Sequence, residues 1–170
     1  ADDNTLFMGS AEAETGNRQA RVALWRSQDA GNSWDQMTTQ VTNARWVAIA
    51  MPIGVDEDVD VVQQTVLATG GYCLRPLRRV EDVWISTKVD PREANVLDLV
   101  VMGEIDRKCD IYAATGNVVY QSEDSGRTWH QAAEELKYTS FIALAAHPPT
   151  REPDLYALSL GGLVWKQSGD

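Results

Sequence analysis

One eight-residue pattern occurs twice in this chain, 95 residues apart: Ser27-Gln28-Asp29-Ala30-Gly31-Asn32-Ser33-Trp34 and Ser122-Glu123-Asp124-Ser125-Gly126-Arg127-Thr128-Trp129. Both copies read S-x-D-x-G-x-[ST]-W. An alternating apolar run precedes each, with Val22 and Leu24 in the first and Val118 and Tyr120 in the second. The pattern therefore spells strand, tight turn, strand. A short Asp side chain accepts hydrogen bonds from the N–H groups of its own turn. Gly supplies the positive φ that tight turns require. The Ser or Thr hydroxyl ties the turn further, and Trp anchors the next strand by burying a large ring. Asp29 and Asp124 thus read as turn-forming residues.

The spacing implies a repeat between the two copies. Ninety-five residues is close to twice about 45–50, a period typical of sheet repeats. Midway, Ala68-Thr69-Gly70 matches Ala114-Thr115-Gly116, and Trp84 stands 50 residues after Trp34 and 45 before Trp129. The intervening turn has lost its Asp and Gly and reads Pro76-Leu77-Arg78-Arg79-Val80-Glu81-Asp82. A last unit contains Gly162-Leu163-Val164-Trp165-Lys166, which matches Asn117-Val118-Val119-Tyr120-Gln121. Ala50-Met51-Pro52 matches Ala146-His147-Pro148, 96 residues on, so two landmarks give a period of about 48. Approximate units are 1–40, 41–90, 91–138 and 139–170, within one domain.

Each unit reads as four strands. The first is a nearly continuous apolar run (46–51, 96–102, 141–146), as a strand buried on both faces should be. The second (65–69, 110–115, 154–159) meets the third through a Gly-containing hairpin turn: Gly70-Gly71, Gly116-Asn117 or Gly161-Gly162. The third leads into the Asp turn and Trp opens the fourth. No helical periodicity persists for three turns, although 132–136 could make one.

These repeats resemble those of Asp-box β-propellers, also called bacterial neuraminidase repeats, a group that includes sialidases, sortilin-type receptors, some xyloglucanases and a photosystem II assembly factor. The resemblance covers nearly the whole chain and implies an all-β propeller of four-stranded antiparallel blades, in the wider class of WD40- and YVTN-like arrays. It also implies that the Asp turns sit on the outer rim, away from a central ligand channel. Ser27, Asp29, Gly31, Trp34, Ser122, Asp124, Gly126 and Trp129 are then structural.

The units are not whole blades. The first begins with a second strand at 6–10, and the last stops after a third. The expected count is three, four, four and three strands, about 3.5 blades. Propellers close with about 4–8 blades. The chain is therefore expected to be a partial propeller: part of a longer polypeptide, or half of a ring closed by a second copy or an additional propeller chain. An unusual small ring is the third option. The start Ala1-Asp2-Asp3 reads either as the end left by leader removal, which would place the protein in a secreted or periplasmic compartment, or as a cut within a larger array.

Composition narrows the partners. A net charge of −10 opposes broad contact with nucleic-acid phosphates, and no apolar run is long enough for a membrane helix. Cys73 and Cys109 lack metal-site spacing and fit two free thiols better than a disulfide. No metal or other cofactor is expected. Of six tryptophans, Trp34, Trp84 and Trp129 hold the post-turn position. Trp25 and Trp165 share the place of Tyr120, and both suggest packing. Only Trp46 is off that register, on an inner-strand run, and so is a candidate for stacking on a carbohydrate or protein ligand.

The remaining candidate residues also fit ordinary structural roles. The acidic run 55–60 offers alternate carboxylates of the kind that bind Ca²⁺ but lacks the glycine and distal glutamate of an EF-hand. Arg75, Arg78 and Arg79 could grip a carboxylate; sialidase arginines, however, come from separate blades, whereas these share one rim turn. His147 ends a first strand near a loop mouth, and His130 follows an anchoring Trp and is expected to point outward. No nucleophile–base arrangement accompanies either. Asp98 interrupts the apolar run 96–102 and could face a channel, with Glu104 or Asp106 as the second of the carboxylates a glycosidase needs. The expected function is a non-enzymatic scaffold or binding module, with Asp98, Trp46 and His147 as ligand-contact candidates. The alternative is a sialidase- or xyloglucanase-like glycoside hydrolase fragment whose active site is completed by missing blades.

Overall fold

A computed structural model describes residues 4–12, 15–16, 19–41, 47–51, 66–76, 84–89, 94–103, 109–132, 140–146 and 154–167. Among them there is no helix, and fourteen strands form four antiparallel sheets. The first sheet contains β1 (Leu6–Glu12), β2 (Arg21–Ser27) and β3 (Asp35–Val41); the second contains β4 (Ala48–Ala50), β5 (Val66–Thr69), β6 (Tyr72–Pro76) and β7 (Trp84–Lys88). The third is built from β8 (Val96–Gly103), β9 (Cys109–Thr115), β10 (Val119–Ser122) and β11 (His130–Gln131), and the fourth from β12 (Phe141–Ala146), β13 (Leu155–Ser159) and β14 (Val164–Gln167). Each sheet is a simple meander, and the sheets have three, four, four and three strands, the count expected from the repeat.

The four sheets share a common pairing register. One row of cross-strand pairs recurs as Met8–Trp25, Leu67–Leu74, Ala113–Tyr120 and Ala157–Trp165. The next row recurs as Gly9–Leu24, Ala68–Cys73, Ala114–Val119 and Leu158–Val164. Because successive side chains point to opposite faces of a strand, the two rows lie on opposite faces of every sheet. The inner strands also match: β8 and β12 are bulged at Val96/Asp98 and at Phe141/Ala143, each opposite the end of its second strand.

Three cores lie between successive sheets. The first unites Val22 and Leu24 of the first sheet with Leu67 and Leu74 of the second. The next joins Val66, Ala68 and Cys73 to Leu99, Ile111, Ala113 and Tyr120, and the last joins Val100, Ala114 and Val119 to Phe141, Leu144 and Leu155. Each sheet thus packs its second row on the first row of its successor. The inner strands carry most of this stacking: β1 meets β4, β4 and β5 meet β8, and β8 and β9 meet β12. That explains the continuous apolar sequence of β8. Val100 faces the fourth sheet while Leu99 and Val101 face the second, so neither face is wet.

Cys73 and Cys109 are reduced and buried in the same core, between the second and third sheets. Burial pushes both thiols up to about 12. The thiolate is the reactive form, so the native protein is expected to leave Ellman's reagent unreacted at pH 8 and to titrate both thiols once denatured. Rapid reaction of either thiol in the native state would contradict this burial.

Candidate functional site

Both Asp turns close the same hydrogen-bond circuit. Ser27 Oγ donates to Asp29 Oδ1 at 2.8 Å and accepts from the Gly31 N–H at 2.8 Å. Asp29 Oδ1 accepts the Ser33 N–H at 2.8 Å, while Oδ2 accepts the Ser33 hydroxyl at 2.7 Å. In the second turn Ser122 Oγ donates to Asp124 Oδ1 at 2.8 Å, the Thr128 N–H reaches the same oxygen at 2.8 Å, and the Thr128 hydroxyl reaches Oδ2 at 2.6 Å. The turn then docks on its own sheet. The Ala30 N–H donates to the Asn4 carbonyl at 2.9 Å, and the equivalent Ser125 N–H donates to the Cys109 carbonyl at 3.2 Å.

The backbone explains the glycine and adds a feature not evident in the motif. Gly31 and Gly126 have φ of 92° and 81°, and the residues before them, Ala30 and Ser125, also lie at positive φ, 56° and 60°. A non-glycine residue there is strained by roughly 1–2 kcal/mol, so the Asp and Ser hydrogen bonds must hold the turn. A Cβ added at Gly126 would stand 3.4 Å from Ile111 Cδ1, 3.5 Å from Arg75 Cδ and 3.6 Å from Cys73 Sγ. The second turn is therefore seated on the second sheet.

Electrostatics follows from these contacts. The Ser33 N–H and hydroxyl, with Ser27 and Asn32, hold the Asp29 carboxyl at about 2. For Asp124, partial desolvation acts upward, but bonds from Thr128, Ser122 and Arg127 outweigh it and hold the group at about 2. Both carboxylates are committed to their own turns. Arg75, expected to share a rim turn with Arg78 and Arg79, instead lies within strand β6, paired with Ile85 and buried, and burial lowers its basicity.

Asp98 sits at the bulge of β8. Its Oδ1 accepts the Leu99 N–H at 2.9 Å and its Oδ2 accepts the Leu144 N–H, 46 residues away, at 2.7 Å. It ties the inner strand of the third sheet to that of the fourth. Trp46, His147, Arg78, Arg79, Glu104, Asp106 and the acidic run 55–60 lie outside the described residues. The structure therefore places Asp98 and Arg75 in separate surroundings: the former bridges the third and fourth sheets, and the latter faces the second Asp turn. Among the described residues, no group of three or more His, Cys, Asp or Glu is placed to hold a metal ion.

A groove of about 480 Å³ opens between the outer strands of the second and third sheets, lined by Lys88, Val89, Tyr120, Trp129, His130 and Gln131. Its floor is aromatic, with Tyr120 buried and Trp129 half-buried, and its rim carries exposed Lys88 and His130. Trp34 Nε1 donates to the Gly31 carbonyl at 3.1 Å, whereas Trp129 Nε1 is buried without a partner among the described residues. The post-turn tryptophan thus closes one turn and walls a groove beside the other. Sequence alone did not reveal this groove, because Lys88 and Trp129 belong to different sheets and lie 41 residues apart. Trp25 donates its Nε1–H to Ser10 Oγ at 2.8 Å, while Trp165, expected to be packed, is 37% exposed. The reason is that β14 lies on the outer edge of the fourth sheet, and every residue of that strand is exposed.

Compared with known proteins, the chain matches no family model and no curated protein.

Proposed function

We propose that this chain is a β-propeller repeat array acting as a non-enzymatic scaffold or binding module, with Asp-box turns as its structural joints. The observation that carries this reading is the commitment of its carboxylates: Asp29, Asp124 and Asp98 each spend both oxygens on N–H or O–H donors of the fold itself. A glycosidase acid or nucleophile needs an oxygen available to substrate, which disfavours the hydrolase reading at Asp98. The common register of the three inter-sheet cores and their concentration at the inner strands support radial stacking. The groove beside Trp129 offers an aromatic floor with polar edges, suited to a sugar face or a flat apolar side chain.

Two assays test this function together. Sialoside and xyloglucan substrates are expected to remain uncleaved, and Asp98→Ala is expected to lower stability by about 1–3 kcal/mol through the lost backbone bonds. Hydrolysis that disappears in Asp98→Asn would overturn the proposal. Glycan and peptide arrays, read against a His130→Ala and Lys88→Ala double variant, assign the ligand class of the groove.

A further inference from the structure

Two guanidinium groups meet where the second sheet packs on the third. Arg75 stands two residues after Cys73 in β6 and so shares its face of the strand, the face buried against the third sheet. The side chain runs under the second Asp turn, with its Cδ 3.5 Å from where a Gly126 Cβ would stand. Arg127 is the next residue of that turn. Its backbone N–H donates to Asp124 Oδ1 at 2.9 Å, so the turn fixes the point from which its exposed side chain starts. Burial, and then the charge of Arg127, hold down the basicity of Arg75. Arg75 is only 9% exposed, and its Nε–H is buried without a hydrogen-bond partner. Among the described residues neither guanidinium forms an ion pair. Asp124 attracts Arg75, but its oxygens are spent on Ser122, Thr128 and the Arg127 N–H. A buried charge without a partner is costly, and a like charge beside it adds to the cost. In a chain of net charge −10, this pair of cations is a local exception that calls for a counterion.

We propose that Arg75 and Arg127 together bind a phosphate or sulfate group beside the second Asp turn. A guanidinium stays charged and presents its N–H donors in a planar fork that matches oxyanions. Two forks from different sheets present more donors than the two oxygens of a carboxylate take up. A tetrahedral oxyanion meets both forks and sets two negative charges against two positive ones. Asn32 occupies the place of Arg127 in the first Asp turn, so the site is particular to the second. Neither arginine lines the groove beside Trp129, and the inference does not rest on a ligand there. Because one arginine comes from β6 and the other from the turn after β10, the bound group also ties the second sheet to the third. Binding to the folded chain alone stabilises it by mass action.

Titration of the 170-residue chain with inorganic phosphate at pH 8 tests this, with sodium chloride holding the ionic strength constant. The expected result is a saturable NMR shift of the Arg75 Nε–Hε and Gly126 amide resonances, together with a higher thermal midpoint. Arg127→Asn installs the side chain that the first turn already carries and keeps the backbone N–H that closes the turn. It is expected to fold and to weaken phosphate binding by about tenfold or more. Arg21→Ala removes an exposed arginine from β2, loses the same charge and is expected to bind phosphate as the wild type does. O-Phospho-L-serine separates the two sources of the group. Shifts of the same resonances assign the site to a phosphorylated ligand, and shifts with inorganic phosphate alone assign it to the free ion. The absence of saturable shifts in the folded wild type overturns the proposal. So does an Arg127→Asn affinity equal to that of the wild type, or an Arg21→Ala loss as large as that of Arg127→Asn.

Discussion

Replacing Phe141 with alanine is expected to lower the unfolding free energy by about 3–5 kcal/mol, the range for emptying a fully buried aromatic site. Phe141 is 0% exposed and lies in the core between the third and fourth sheets, with Val100, Tyr112, Ala114 and Val119 on the facing side. It opens β12 opposite Ser159, at the bulge that repeats the one in β8. The loss combines the transfer free energy of the deleted ring with a cavity that the two packed sheets close only in part. Urea unfolding should show the lower midpoint with an unchanged slope. A loss below about 1 kcal/mol would mean that the fourth sheet does not pack on the third through this residue.

The second large effect belongs to Asp124. Asp124→Ala removes the acceptor for the Arg127 and Thr128 N–H groups and the Thr128 hydroxyl. It also leaves Ser125 at a φ of 60° without the circuit that holds it there. The expected loss is about 2–4 kcal/mol, because hydrogen bonds to a charged acceptor exceed neutral ones and the freed donors sit in a fixed turn. Asp29→Ala is expected to lose less, since its turn is more exposed. The pH dependence carries a definite sign. The folded carboxyl titrates at about 2, below the ordinary value of 3.8, so folding favours the ionised form. Its contribution is complete above about pH 5 and is lost as the pH falls through the folded value. Asp124→Asn should flatten that acid limb; an unchanged limb would show that the carboxylate charge contributes nothing.

The sequence made some layers of this structure legible and hid others, for a physical reason. Strand order, hairpin glycines and the three-four-four-three count depend on local periodicity and turn chemistry, which neighbouring residues encode. The turn circuit was equally visible, because Ser27, Asp29 and Ser33 act on one another within a few residues. Asp98 was legible only as a carboxylate out of place in an apolar run. Its partner is a backbone N–H in another sheet, and a backbone donor carries no side-chain signature. The groove between Lys88 and Trp129, the seating of Gly126 on Cys73 and Arg75, and the shared core of Cys73 and Cys109 are likewise properties of adjacent sheets. Trp165 shows the reverse error: its repeat position suggested packing, but its strand lies on the outer edge, where the ring is exposed.

Methyl and aromatic NOEs in the folded chain show whether successive sheets stack in chain order through one common register. Chain-order stacking gives cross-peaks from Val22 and Leu24 to Leu67 and Leu74, from Val66 to Leu99 and Ile111, and from Val119 to the Phe141 ring, each within one inter-sheet core. Cross-peaks that instead join Leu24 to the Phe141 core, or the absence of all three sets in a folded protein, would contradict it.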